Sequence, residues 1–352
     1  MITLLYAVAI GLSMGTTALI ARRIGEKDPE RASLAAAQSI ILGLIVSVIV
    51  GLLGLMYAEE ILGLMGADEA VIEAGSTYTR IMFGSCFTIV FLFLINGIFR
   101  GAGDASLAMR ALTIANCINI VLDPCLIYGY GPFPEMGLSG AAVATNIGRG
   151  IGVLYGLYYL CGGGGRIQLH LQNMILHIKT MRHLIRISTG GVAQFLVGTA
   201  SWVFLMQLVS SFGSEAVAGY TIAVRVVMFT ILPAWGLSNA AATLVGQNLG
   251  AGLMDRAETT VWYIVKYNSM YMGLVSVLIL LFTQPIILIF VDNEIVVNYG
   301  IESLRIFSLA FVAWGAGMAL TQAFNGAGDT MTPTWINVFC FWVVEIPLAY
   351  SL

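Results

Sequence analysis

The feature that most constrains this chain of 352 residues is a succession of long apolar segments separated by short charged loops. A membrane-spanning helix needs roughly 17–25 mostly apolar residues, and about ten segments reach that length. They cover approximately 1–21, 32–57, 74–99, 106–129, 138–160, 186–212, 217–246, 259–283, 300–324 and 333–352. In lipid the backbone of each segment must be hydrogen-bonded internally, which favours helices. We therefore predict an all-α, polytopic transmembrane helical bundle.

The composition excludes several classes of protein. Hydrophobic residues make up 59% of the chain and charged residues only 10%, whereas soluble domains carry about a quarter charged residues. The net charge of −3 includes no basic tract, which argues against nucleic acid as a partner. The sequence offers no nucleophile–base pair and no metal triad, so we expect neither an enzyme nor a cofactor.

The loops alternate in charge, which predicts the orientation of the chain. Acidic residues such as Glu59, Glu60 and Glu215 dominate the loops after the even-numbered segments. Basic residues instead collect in the loops after the odd-numbered segments, and the positive-inside rule places these loops in the cytoplasm. We therefore expect a multi-pass protein of the cell membrane. The basic residues of the odd-numbered loops are Arg22, Arg23, Lys27, Arg31, Arg100, Arg110, Arg166, Lys179, Arg182, Arg186 and Arg256.

The two halves of the chain are copies of one another. A shift of 225 residues aligns Arg80 with Arg305, and it also aligns the Gly-Ala-Gly-Asp segment 101–104 with 326–329. We expect tight turns at both segments, with Asp104 and Asp329 capping the following helices. Because the shift spans an even number of predicted helices, the copies should have the same orientation, and such parallel repeats place the substrate path between the lobes.

A polar segment separates the copies. It begins with four glycines at 162–165 and continues with apolar residues at three- and four-residue spacing from Leu171 to Ile185. This spacing predicts an amphipathic cytoplasmic helix after a flexible joint. The predicted domains are an N-lobe at 1–161, an interlobe linker at 162–185 and a C-lobe at 186–352.

One transmembrane segment carries a polar face. Asn116, Asn119 and Asp123 are spaced i, i+3 and i+7, so their side chains share one helical face within about 60°. An oxygen-rich, partly anionic face suits a hard cation or a titrating proton, although a hydrogen-bond cluster between helices is the structural alternative. The second copy has Phe341, Val344 and Leu348 at the same positions, so the fold does not require polar residues there.

Several motifs together resemble the multidrug and toxic compound extrusion (MATE) transporters, in particular the DNA-damage-inducible F-like branch. The resemblance covers nearly the whole length of the chain. The motifs are Ala21-Arg22-Arg23-Ile24-Gly25, Asn116-x-x-Asn119-x-x-x-Asp123-Pro124, Gly140-Ala141-Ala142-Val143-Ala144-Thr145, Tyr220-Thr221-Ile222-Ala223-Val224-Arg225 and Leu244-Val245-Gly246-Gln247-Asn248-Leu249-Gly250-Ala251. Family members have twelve helices, and this chain resembles numbers two to eleven, so the first and twelfth are expected to be missing.

The resemblance also implies site residues. Tyr78 and Thr145 would complete a cation or proton site with Asn116, Asn119 and Asp123, and we expect no metal other than Na⁺ at Asp123. Gln194 takes the place of a glutamate found in some branches. The candidates for contact with substrate are Gln194 and, independently of the resemblance, Arg225, Arg149 and Glu345. The structural alternative for Gln194 is a hydrogen bond to a neighbouring helix. For either arginine the alternatives are an ion pair with an acid across the lobe interface or extension to a lipid headgroup.

These observations predict a secondary active transporter that exports organic, cationic or amphipathic compounds by alternating access, in exchange for Na⁺ or H⁺. Its partners would be a small organic substrate and the lipid bilayer, and we expect a monomer. One alternative is a flippase for lipid-linked oligosaccharides from the same superfamily. The other is a truncated membrane protein that does not transport.

Overall fold

The computed structural model describes residues 2–64, 68–162, 165–169 and 171–351, and these residues form helices with no strand among them. A single 3₁₀ turn occupies Leu171–Met174, and a π-helix occupies Val338–Glu345. The α-helices are α1 Ile2–Gly25, α2 Pro29–Met56, α3 Ala58–Leu64, α4 Glu69–Gly84, α5 Cys86–Ala102, α6 Ala105–Tyr128, α7 Gly137–Gly162, α8 Ile178–Ser210, α9 Ser214–Gly250, α10 Met254–Leu288, α11 Glu294–Ala327, α12 Met331–Asn337 and α13 Ile346–Ser351.

Most of these helices are long and apolar enough to cross a membrane. Within the described residues eight helical stretches meet that condition, and α4 with α5 makes a ninth if the pair, bent by 44°, is counted as one span. The predicted polytopic α-helical membrane fold is confirmed, but this number is one lower than the ten predicted spans. The difference is α7, whose 26 residues are long enough but are made less apolar by Asn146, Arg149 and several glycines.

The chain divides into two compact units, residues 1–193 and 194–352, so that α8 crosses the boundary. The core of unit 1 is built mainly from α1, α2 and α5, with Leu94 and Phe99 almost completely buried. The core of unit 2 lies on α9, α10 and α11 around Met272 and Phe311. The predicted lobe and linker boundaries stay predictions.

The internal repeat of the sequence is also visible in the positions where the helices end. Helix α1 ends at Gly25 and α9 at Gly250, which are separated by the same 225 residues as the sequence copies. Helices α5 and α11 are followed by Gly103 and Gly328, with φ of 84° and 86°. Because this left-handed conformation strains other residues, glycine is required at both turns. The predicted tight turns are therefore confirmed.

The segment predicted to link the two lobes differs from the predicted amphipathic helix. Residues 165–169 are not helical, Leu171–Met174 forms one 3₁₀ turn, and α8 begins only at Ile178. The apolar spacing that predicted a separate cytoplasmic helix therefore belongs, from Ile178 onwards, to the first turns of a long helix. Gly163 and Gly164, part of the predicted flexible joint, lie outside the described residues.

Side chains from distant parts of unit 1 explain why this segment is not helical. Fully buried Gln38 donates from Nε2 to the Ile175 carbonyl at 2.9 Å and accepts from the His177 amide at 2.9 Å. Asp104 was predicted to cap α6, but its carboxylate instead accepts a hydrogen bond of 2.9 Å from the Arg166 amide. Because these side chains satisfy backbone groups, the segment does not need helical hydrogen bonds.

Helices α6 and α7 lie unusually close together because glycines of α7 face the backbone of α6. A Cβ atom at Gly148 would lie 2.6 Å from the Ala115 carbonyl oxygen, and one at Gly152 would lie 3.0 Å from the Ala111 carbonyl oxygen. Neither position has room for a side chain without a shift of the helices. This contact brings the side chains of the two helices within hydrogen-bonding distance of each other.

We expect Gly148→Ala to lower the free energy of unfolding by about 1–3 kcal/mol, because the new methyl group overpacks the helix contact. Gly150 lies on the same helix with no atom near its Cβ position. Gly150→Ala is therefore the matched control and should be neutral or stabilise the protein by up to about 1 kcal/mol. Thermal unfolding in detergent would measure both, and equal melting temperatures would contradict the close contact.

Candidate functional site

Three of the side chains predicted to bind a cation meet where α6 faces α7. The Asn119 amide nitrogen Nδ2 donates to Asp123 Oδ1 at 2.9 Å and also points to Thr145 Oγ1 at 3.3 Å. The glycine contact described above makes this possible, because the Cβ position of Gly148 is only 3.3 Å from Asn119 Cβ. Asn119 therefore links a carboxylate on α6 to a hydroxyl group on α7.

Asp123 is only partly satisfied in this arrangement. Its side chain is partly buried, and Oδ2 accepts no hydrogen bond from the described residues. No basic group of the described residues forms an ion pair with it. A carboxylate within a transmembrane helix is costly unless it has a partner or a task. Together with oxygens of Asn119 and Thr145, its free oxygen could hold a proton or a hard cation.

The other two predicted members of this site lie differently. Asn116 is exposed, and its side chain makes no hydrogen bond to the described residues, so it takes no part in the hydrogen bonds of Asn119 and Asp123. Tyr78 of α4 is partly buried and lies within electrostatic range of both Asp123 and Arg149. The tyrosine therefore stands close to the group, although no hydrogen bond joins it to Asp123 among the described residues.

Arg149 of α7 lies in unit 1 against a residue that the sequence analysis did not single out. Its Nη2 donates to the Tyr6 hydroxyl at 2.7 Å, and its Cζ lies 5.7 Å from the centre of the Tyr6 ring. Phe93 packs edge-on against that ring at 5.8 Å. The second copy has Ile231 at the position of Tyr6, and this loss of a polar aromatic residue was the signal available in the sequence.

A second polar link between helices was also missed. Thr88 of α5 donates to Asn146 Oδ1 at 2.9 Å, and Asn146 donates from Nδ2 to the Ala142 carbonyl at 2.8 Å. Asn146 follows Thr145 directly and therefore points about 100° away around the helix. The link to Thr88 and the link to Asn119 thus leave α7 in different directions. An asparagine in an apolar segment was the only sequence signal.

The candidates of unit 2 are not joined by hydrogen bonds. Gln194 is buried and its Oε1 has no hydrogen-bond partner, whereas Arg225 is exposed. Glu345 is partly buried at the end of the π-helix, within electrostatic range of Tyr220. In the described part of unit 2 no hydrogen bond or ion pair joins Gln194, Arg225 and Glu345 to one another.

Long apolar helices with a partly satisfied carboxylate inside their bundle define an integral membrane protein with an intramembrane polar site. Comparison of the sequence with known proteins identifies the family. A family model described as MatE matches residues 1–125 and 192–351. A probable multidrug resistance protein of Bacillus subtilis is 26% identical, over 99% of this chain and 76% of the relative. A probable multidrug resistance protein of Thermotoga maritima is 26% identical, over 98% of this chain and 74% of the relative.

A solved structure agrees with these relatives. A transporter of the MOP superfamily from Pyrococcus furiosus superposes with a TM-score of 0.93 at 29% identity, over 99% of this chain and 77% of that one. The chain therefore belongs to the MATE family, as the sequence motifs predicted. Members of this family are multi-pass membrane transporters and not enzymes. The F-like branch and the two missing helices stay predictions.

Replacing Asn119 by Ala should lower the free energy of unfolding by about 1.5–3 kcal/mol, because Asp123 loses its donor inside the helix bundle. Asn116→Ala is the matched control on the same helix, since that side chain is exposed and unbonded. It should change the stability by no more than about 0.5 kcal/mol. Thermal unfolding in detergent would compare the two, and equal losses would contradict the hydrogen-bonded cluster.

Proposed function

We propose that this protein is a secondary active transporter that exports organic compounds in exchange for Na⁺ or H⁺ bound at Asp123. The observation that supports this most directly is the Asn119–Asp123–Thr145 group, in which the carboxylate keeps one unpaired oxygen on a transmembrane helix. A merely structural cluster would be expected to satisfy both oxygens, because an unpaired charge within the membrane is destabilising.

Membership of the MATE family supports export of small organic molecules. The relatives in Bacillus subtilis and Thermotoga maritima are described as probable multidrug resistance proteins. By analogy we propose cationic or amphipathic substrates, a monomer in the cell membrane, and no cofactor besides the coupling ion. Gln194, Arg225, Arg149 and Glu345 are the candidates for contact with the substrate.

The proposed mechanism is alternating access driven by occupation of Asp123. An ion shifts the balance between the inward- and outward-open states only if it binds one of them more tightly. Asn119 and Thr145 would complete the ion's ligands in the state that binds it, and Tyr78 would supply a polar group nearby. Asn116, which is exposed on the same helix, would contribute when the site is open.

The charge alternation supports an orientation and a domain organisation for this transporter. Loops 26–28, 103–104 and 251–253 would lie in the cytoplasm, because each has basic residues in or next to it. The loop 328–330 has no basic residue nearby and would lie on the same side because it is the counterpart of 103–104 in the repeat. Residues 1–161 and 186–352 would form the two lobes, joined by the linker 162–185. The coupling ion would act in the first lobe, since the second copy has apolar residues at the positions of Asn119 and Asp123.

The test is efflux from proteoliposomes under an imposed Na⁺ gradient or, separately, an imposed pH gradient, with rhodamine 123 as the probe. We expect Asp123→Asn to abolish the gradient-driven component while the protein elutes and melts as a folded monomer. The substituted side chain keeps its shape but loses the charge that binds the ion. Efflux that survives unchanged would contradict the assignment of Asp123.

The matched control is Glu302→Gln, which neutralises an exposed carboxylate on α11 and should preserve efflux. A parallel assay would follow translocation of a fluorescent lipid-linked oligosaccharide in the same vesicles. Lipid translocation without dye efflux would favour the flippase instead. Neither activity in a stably folded protein would favour a non-transporting membrane protein.

A further inference from the structure

Arg149 is a cation in the middle of α7, far from either end of that helix. Among the described residues no carboxylate lies within ion-pair distance of it. An arginine near the end of a helix can extend to the lipid headgroups, but one in the middle must be satisfied by groups inside the bundle. The charge of Arg149 therefore requires an explanation from its surroundings.

The groups around Arg149 hold one side of its guanidinium in place. The Tyr6 hydroxyl accepts the hydrogen bond from Nη2 at 2.7 Å, and the Tyr6 ring is held in turn by the edge of Phe93. The other terminal nitrogen, Nη1, is buried and has no hydrogen-bond partner. One side of the guanidinium is thus fixed by α1, while the other carries an unmet donor. A buried unmet donor is expensive and points to an acceptor that this conformation lacks.

One side chain of unit 1 interacts electrostatically with both Arg149 and the carboxylate of the proposed ion site. Tyr78 lies within electrostatic range of both Arg149 and Asp123. Unit 1 therefore has a positive group and a negative group that both act on one tyrosine. Such a dipolar arrangement matches a molecule that carries charges of both signs.

We propose that Arg149 and Tyr6 form a subsite for an anionic oxygen group, a carboxylate or a phosphate, on the exported compound. The inference rests on the proposed function and narrows its substrates to amphipathic molecules with an anionic group, zwitterions included. Arginine suits this role because its planar fork binds two oxygens of one group. Since Nη1 is enclosed in the conformation described, the subsite must open for the anion to enter.

The test is equilibrium binding of two dyes, rhodamine 110 and rhodamine 123, to the purified protein, followed by fluorescence anisotropy. The dyes share one ring system, but rhodamine 110 has a free carboxylate where rhodamine 123 has a methyl ester. We expect Arg149→Gln to weaken binding of rhodamine 110 by about tenfold or more and to change binding of rhodamine 123 less than about twofold. Equal weakening of both dyes, or of neither, would overturn the proposal.

Two further variants protect the result against a folding defect. Arg149→Lys keeps the charge without the planar fork. Unlike Arg149→Gln, it should therefore keep part of the preference for rhodamine 110 over rhodamine 123. Tyr6→Phe keeps the ring and removes only the hydroxyl that holds Nη2, and should weaken rhodamine 110 selectively but less than Arg149→Gln. If Tyr6→Phe and Arg149→Lys both retain the full preference for rhodamine 110 while Arg149→Gln is unfolded, the subsite is excluded.

Competition would distinguish the source of the anion. Benzoate stands for a soluble carboxylate and dihexanoylphosphatidylglycerol for a lipid headgroup. Displacement of rhodamine 110 by benzoate supports a soluble substrate, displacement by the lipid alone assigns the subsite to a headgroup, and displacement by neither contradicts it. None of these measurements uses an ion gradient, so a failure of coupling at Asp123 would leave them interpretable.

Discussion

The close approach of α6 and α7 is the contact on which the site depends. In lipid a polar side chain has no water to bond, so its partners must come from a neighbouring helix. The glycines of α7 leave room for the backbone of α6, and at this distance the amide of Asn119 reaches both Asp123 and Thr145. A side chain at Gly148 would push the helices apart and separate the hydroxyl from the carboxylate.

The repeat shows which features belong to the scaffold and which to the site. Helix ends and the left-handed glycines after α5 and α11 recur at the same shift, because both copies need the same turns. The polar face of α6 does not recur. Its counterpart has a π-helix at Val338–Glu345 and apolar residues instead. Since a π-helix changes which residues share a face, the two copies present different side chains from equivalent helices.

The apolar length of the segments was enough to predict the class of fold, because it reflects the thickness of the bilayer directly. The site was harder to predict. The spacing of Asn116, Asn119 and Asp123 defined one face of α6, but only the packing of α7 decides which part of that face is bonded, and Asn116 falls outside it. The prediction of a separate helix between the lobes was wrong for a similar reason. The side chain of Gln38, which is distant in the sequence, bonds the backbone groups of Ile175 and His177. In a helix these groups would have bonded to the backbone, and periodicity alone cannot show the difference.

The opposite charges of Asp123 and Arg149 suggest how exchange and affinity could be divided between two residues. In the proposed mechanism a cation bound at Asp123 would compete with any positive group of the substrate for the same carboxylate, and antiport requires such competition. An anionic group of the substrate held by Arg149 would not face that competition, because the arginine stays positively charged throughout. For a zwitterion, the ion would then displace one end while the other end remains bound. In that arrangement the ion controls release through Asp123, whereas Arg149 determines which molecules are accepted.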